Sequence, residues 1–130
     1  MRTAVGAAII DNGNLLLVKE EDVWILPGGQ HEKGESDLEC LCREIREELS
    51  GTEIDNPHFY GEFVGKTPHK GDYLAASVYF AKIRGELGKP SGEISEAQWI
   101  QYSGLKNYNI SDITLKIIQS LNEGGYLRVK

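Results

Sequence analysis

No apolar run in this chain approaches the ~18 residues that a membrane-spanning helix requires, so a segment of that kind is excluded. Residues 1–3 open no charged-then-apolar leader, and a cytoplasmic location with no membrane partner is the expectation. Basic residues are in the minority, 14 Lys and Arg against 20 Asp and Glu, a formal net charge of −6. Extended nucleic acid is therefore an unsuitable partner, because phosphate backbones are bound by clustered Lys and Arg. A small phosphate ester bridged by a cation remains compatible. Cysteine is scarce: Cys40 and Cys42 are two positions apart, and on a helix they point about 200° away from each other, so they do not bridge within it. His31 and His58 have no nitrogen or sulfur partner at zinc-ligand spacing, so a zinc site is not expected. A glycine-rich P-loop and a Ser, His, Asp arrangement are also missing.

What is present is ordinary for a folded chain. With 130 residues, 40% hydrophobic and 26% charged, a single soluble domain spanning 1–130 is expected, as a monomer or homodimer. Residues 3–10 and 15–18 are apolar runs divided by Asp11, Asn12, Gly13 and Asn14, which reads as strand, tight turn, strand. Residues 23–26 form a third short strand, stopped by Pro27, Gly28 and Gly29. A helix is expected over 36–49, with Ser36 as N-cap and Glu39 completing a capping box. Strands follow over 59–65 and 73–83, joined by a loop over 66–72, and a further short strand over 97–102. Ser111 and Asp112 open a last helix whose Ile113, Leu115, Ile117, Ile118 and Leu121 suit one buried face. The pattern is α/β, a mixed sheet covered by two helices.

The first helix carries an unusual charge. Residues three and four apart are neighbours, so Glu44 faces Glu47 and Glu48, and each like-charge pair costs roughly 0.2–0.5 kcal/mol. The three acids fall within an arc of about 100°, while Leu38, Cys42, Ile45 and Leu49 gather on a different face. Crowded carboxylates of this kind suit a hard divalent cation, which takes oxygen ligands and is commonly shared with substrate phosphates. Magnesium is expected, with manganese as a substitute.

The spacing around this helix is specific. Gly29, five residues, Glu35, seven residues, then Arg43, Glu44, Ile45, Arg46, Glu47 and Glu48 resembles the Nudix box, and Trp24 to Gly29 resembles the strand and turn that precede it. One departure is that the box glycine falls on Ser50 and the last apolar position on Gly51. A helix one residue longer, with Gly51 as a left-handed stop, accounts for it. The resemblance implies a Nudix-type α/β/α sandwich and a metal-dependent hydrolase. It implies Glu47 and Glu48 as direct metal ligands, Glu44 as ligand or general base, the Gly28 carbonyl as a further ligand, Glu35 at the edge, and Arg43 paired with a box glutamate.

Beyond the box, such enzymes often draw an extra acid from the loop before a tryptophan. Glu93 stands six residues ahead of Trp99 and Glu96 three, and of these Glu93 is the stronger candidate for a catalytic or metal-binding role. Lys66, His69 and Lys70 make the loop with a local positive excess, suited to steering phosphate. Tyr73, with Tyr60, Phe63 and Tyr79, offers a ring that could stack on a base. The expected activity is hydrolysis of the phosphoanhydride of a nucleoside diphosphate linked to X. The favoured substrate is a nucleoside triphosphate, oxidised or not, giving monophosphate and pyrophosphate. ADP-ribose or another nucleotide sugar is the second substrate, hinted at by Pro68, and a catalytically idle nucleotide-binding domain is the alternative of another class.

Overall fold

The computed structural model describes residues 1–67 and 72–127. Among these, β1 (Arg2–Asp11), β2 (Asn14–Glu20), β3 (Val23–Ile25), β4 (Gly28–Gln30), β5 (Thr52–Lys66), β6 (Tyr73–Gly85) and β7 (Ile94–Ile100) make one sheet. Its order is β3-β2-β1-β6-β5, with β4 paired to β1 and β7 to β2. β1 and β6 run parallel from Arg2 beside Leu74 to Ile9 beside Ala81, and the other strand pairs are antiparallel. The helices are α1 (Asp37–Glu48) and α2 (Asp112–Glu123).

The layering follows from alternation along β1 and β2. Val5, Ala7, Ile9, Leu16 and Val18 pack with Cys40, Leu41, Ile45 and Leu49 of the α1 side. Ala8, Leu15 and Leu17 turn to the opposite face, against Ile113, Ile117, Ile118 and Leu121 of α2. A strand covered on both faces reads as an unbroken apolar run, which is why residues 3–10 and 15–18 look as they do. Helix, sheet, helix is the resulting order, as expected. Leu41 and Ile45 are wholly buried, and each such side chain stabilises the fold by about 1.5–3 kcal/mol. The β1–β2 turn has positive φ at both Asn12 and Gly13, the geometry that a two-residue hairpin with right-handed twist selects.

Several boundaries differ from expectation. Gly28 and Gly29, read as a strand stop, form β4 against β1; backbone pairing needs no side chain, so a glycine pair can serve as strand where space is short. β5 starts at Thr52 instead of 59, because Asn56 (φ 54) and Pro57 are absorbed in a bulge between Asp55 and His58. β7 begins at Ile94, and Tyr102–Asn107 is a 3-10 helix that the sequence did not signal. Two helical leucines expected in the core are exposed: Leu38 at 43% and Leu115 at 46%, their arcs being shifted toward Cys40 and Leu41 in α1 and toward Thr114 in α2. The loop candidates Pro68, His69 and Lys70 lie outside the described residues.

Candidate active site

The capping box at the start of α1 is as the sequence indicates: Glu39 N–H donates to Ser36 Oγ at 3.2 Å, and Ser36 N–H to Glu39 Oε1 at 3.0 Å. Asp37 ties the same end down, 2.7 Å from His31 Nε2 and accepting from the Tyr79 hydroxyl at 2.9 Å. The entry of the helix is thus fixed to β6 and to the turn before it. At the other end α1 stops at Glu48 with Leu49 as its cap, so the helix does not run the one residue longer that was expected; Gly51, at φ +89, turns the chain two residues past the cap toward β5.

Between β1 and α1 the chain has almost no room. Gly28 holds φ +144, and a Cβ there would lie 2.1 Å from the Val5 carbonyl oxygen; a Cβ on Gly29 would lie 2.5 Å from the Glu44 carboxyl carbon. Only glycine lets the backbone come this close. The approach brings the Gly28 N–H to Oε1 of Glu48 at 3.0 Å.

The acids do not share one face as their spacing suggests. Glu48 is buried, at 8% exposure, and belongs with Leu41 and Ile45 on the inner arc; the Glu44 side chain is largely covered, and that of Glu47 is 56% exposed. The physical reason is that Glu48 lies at the border of the acid and apolar arcs, and the Gly28 amide gives its carboxyl a partner inside. Burial pushes the Glu48 carboxyl up to about 9, with nearby Glu44 and Glu20 adding to it. Burial also raises Glu44, although the Arg43 guanidinium opposes the shift.

Arg43 organises the surrounding charge. Its Nε and Nη2 donate to the two oxygens of Glu35 at 2.7 and 2.9 Å, and Nη1 donates to Glu44 Oε1 at 2.6 Å. The Glu35 carboxyl, hydrogen-bonded by Arg43 and by the Glu32 amide, is held down to about 2. Glu47 stands 3.6 Å from the same guanidinium. Cys40 is buried beneath, its thiol pushed up to about 12 mainly by burial, so it offers no thiolate ligand.

A cavity of about 570 Å³ opens beside these groups. Gly28, Gly29, Arg43, Glu44 and Glu48 line its acidic end, while Ala76, Val78, Ile113 and Ile117, from β6 and α2, line an apolar end. Of the two loop acids, Glu93 lines the cavity; Glu96 is paired with Lys19 at 3.3 Å on β2. Lys66 and Tyr73 are exposed and are not lining residues, and neither is Glu47. Arg2, Glu20 and Glu21 do line it, and the sequence reading missed them. The signal for the last two was the acidic run at residues 20–22, which reads equally as a solvated turn; Arg2 carried none.

A hard cation fits this donor set by its chemistry. The ligand atoms available are oxygens, and two of the carboxyls are drawn together out of water, where their charged forms need a compensating positive charge. Among the described residues no three acids or histidines are gathered into a ready-made cage, so Glu44 and Glu48 form the nucleus and the remaining oxygens come from neighbours or substrate.

Comparison with known proteins agrees with this geometry. The family model described as NUDIX domain matches residues 1–121. The nucleoside triphosphatase NudI of Escherichia coli is 30% identical over 133 aligned residues, covering 91% of this chain and 94% of that protein. The NAD-capped RNA hydrolase NudC of Pseudomonas aeruginosa is 34% identical over 83 residues, 64% of this chain, and the match spans 28% of that longer protein. Among solved structures, a NUDIX hydrolase from Nitrosomonas europaea superposes with a TM-score of 0.80 at 18% identity, covering 99% of this chain and 97% of that one, a likeness of fold.

Proposed function

The chain belongs to the NUDIX domain family, and from that premise we propose that it is a magnesium-dependent pyrophosphohydrolase acting on nucleoside triphosphates, with manganese as a substitute ion. The structural observation that carries this reading is the cavity itself, lined by the buried Glu48 and the largely covered Glu44 and also by the apolar Ala76, Val78, Ile113 and Ile117. The similarity to a protein named as a nucleoside triphosphatase, over nearly the whole of both chains, points the same way.

In this reading Glu44 and Glu48 hold the ion, with Glu47, Glu93 and the Gly28 carbonyl as further oxygen donors. The ion, when bound, neutralises phosphate charge and lowers the pKa of water near it. The chain's own groups do the rest. Arg43 fixes the Glu44 carboxylate through Nη1 while anchoring itself on Glu35, so the acid is oriented before substrate arrives. Glu93 or Glu44 takes the proton of the attacking water at a carboxylate oxygen. Ala76, Val78, Ile113 and Ile117 exclude water around the nucleoside, so that positioning and electrostatics supply the acceleration. The nucleotide-sugar reading rested on Pro68, which lies outside the described residues.

Hydrolysis of a nucleoside triphosphate in isotopically labelled water, with both products weighed by mass spectrometry, tests the proposal. Monophosphate plus pyrophosphate as first products is expected. Orthophosphate released first would refute it, and no turnover of any triphosphate or dinucleotide would favour the idle binding domain.

A further inference from the structure

A helix ends in carbonyls with no intrahelical partner, and in α1 these carbonyls belong to the residues that carry the site. The segment after β6 bonds two of them, those of Glu47 and Glu48, and the carbonyl of Ser50 just beyond the helix. Gly88 N–H donates to the Ser50 carbonyl at 2.9 Å, Ser91 N–H to that of Glu48 at 3.4 Å, and the Ser91 hydroxyl to that of Glu47. The Ser91 carbonyl in turn accepts from Ile94 N–H at 3.3 Å, closing a tight turn whose two inner residues are Gly92, at φ +67, and Glu93. Glu93 lines the same cavity as Glu44 and Glu48. The end of the acid-bearing helix and the turn that presents the loop acid are therefore one hydrogen-bonded unit, with Ser91 bonded to both.

We propose that Ser91 is a positioning residue, holding Glu93 at a fixed place relative to Glu44 and Glu48 by bonding the exposed carbonyls of α1. This rests on the reading of Glu93 as a working acid of the site. Loop residues have many conformations open to them, and a loop acid acts only while it is held near the reacting atoms. The Ser91 hydroxyl bond supplies that restraint without contact to substrate. Threonine retains the hydroxyl and alanine does not.

The test is a cycle of Ser91→Ala, Glu93→Gln and the double variant, with Ser91→Thr as rescue. Ser91→Ala is expected to lower kcat about tenfold at little changed KM, the signature of geometry lost at the transition state. Ser91→Thr should restore most of the rate, and Ser91→Ala should cost nothing further in the Glu93→Gln background. Amide hydrogen exchange should quicken over residues 89–94 while the interior amides of α1 keep their protection. An equal loss of kcat in both backgrounds, or exchange rising along α1 as well, would make Ser91 merely structural and overturn the proposal. Normal kinetics in Ser91→Ala with an impaired Glu93→Gln would sink the Ser91 proposal alone. A Glu93→Gln enzyme with unchanged kcat would remove the underlying reading, and the positioning role with it.

Discussion

The Gly28 amide donates to Oε1 of Glu48 at 3.0 Å, joining the start of β4 to the end of α1 across twenty residues of sequence. The bond exists because Gly28 holds φ +144 where an added Cβ would lie 2.1 Å from the Val5 carbonyl oxygen. Gly28→Ala should therefore destabilise the fold by about 2–6 kcal/mol, the sum of a backbone conformation costly for alanine and an overlap that β1 must yield to. Urea unfolding measures it. A loss under about 1 kcal/mol would mean that β4 relaxes freely, and the rigid link to Glu48 would have to be given up.

Glu48 makes the metal-free protein sensitive to pH in an uncommon direction. Its folded-state pKa is raised to about 9 from the ordinary 4.5, so the folded state binds the proton more tightly than the unfolded one. The contribution is fully present below about pH 4.5 and is lost as pH rises toward about 9. Glutamine mimics the protonated acid and can still accept from Gly28. Glu48→Gln should then be more stable than the parent in chelator at pH 8, by roughly 1–3 kcal/mol, with the gap closing near pH 5. A variant less stable than the parent at pH 8 would show that the carboxylate is well satisfied inside.

Much of the site was legible because its residues sit at fixed offsets. The resemblance carried by the offsets of Gly29, Glu35, Arg43, Glu44, Glu47 and Glu48 singled these residues out, and the cap at Ser36 was legible from the Ser-to-Glu spacing that opens α1. Alternation and apolar runs likewise gave the layers of β1, β2 and α2. What escaped depends on groups arriving from elsewhere in the chain. Whether Glu48 faces water or core is settled by the Gly28 amide, and which loop acid lines the cavity is settled by Ser91 and by Lys19 drawing Glu96 away. A glycine strand such as β4 has no side-chain periodicity to betray it. Arg2 and Glu20 reach the cavity only through the pairing of β1 and β2 with their neighbours.

Magnesium binding should be visible without any substrate. A ligand that binds only the folded state stabilises it by RT ln(1 + [L]/Kd), about 2.7 kcal/mol at a hundredfold excess over Kd. Magnesium or manganese should raise the melting temperature by several degrees and restore the turnover that chelation abolishes. In Glu48→Gln most of that thermal shift should vanish, since one of the two buried oxygen donors is no longer a carboxylate. The same shift in parent and variant would place the ion away from Glu48.

The apolar end of the cavity decides whether the substrate must be a nucleotide. Ala76 lies on β6 with its side chain in the α2-side core and at the cavity wall, where Leu would project three additional carbons into open volume. Because that volume exists, Ala76→Leu should fold with a stability change under about 1.5 kcal/mol, unlike an insertion into a filled core. If the nucleoside occupies this end, its binding is lost equally from ground and transition states. KM for a nucleoside triphosphate should then rise about tenfold while kcat stays near the parent value. Inorganic tripolyphosphate carries the anhydride without a base, and its hydrolysis, however slow, should be indifferent to the substitution. Steady-state kinetics on both compounds separates the possibilities. An equal rise in KM for the two would mean that leucine disturbs the phosphate end, and unchanged KM for the nucleotide would move the nucleoside off this wall altogether.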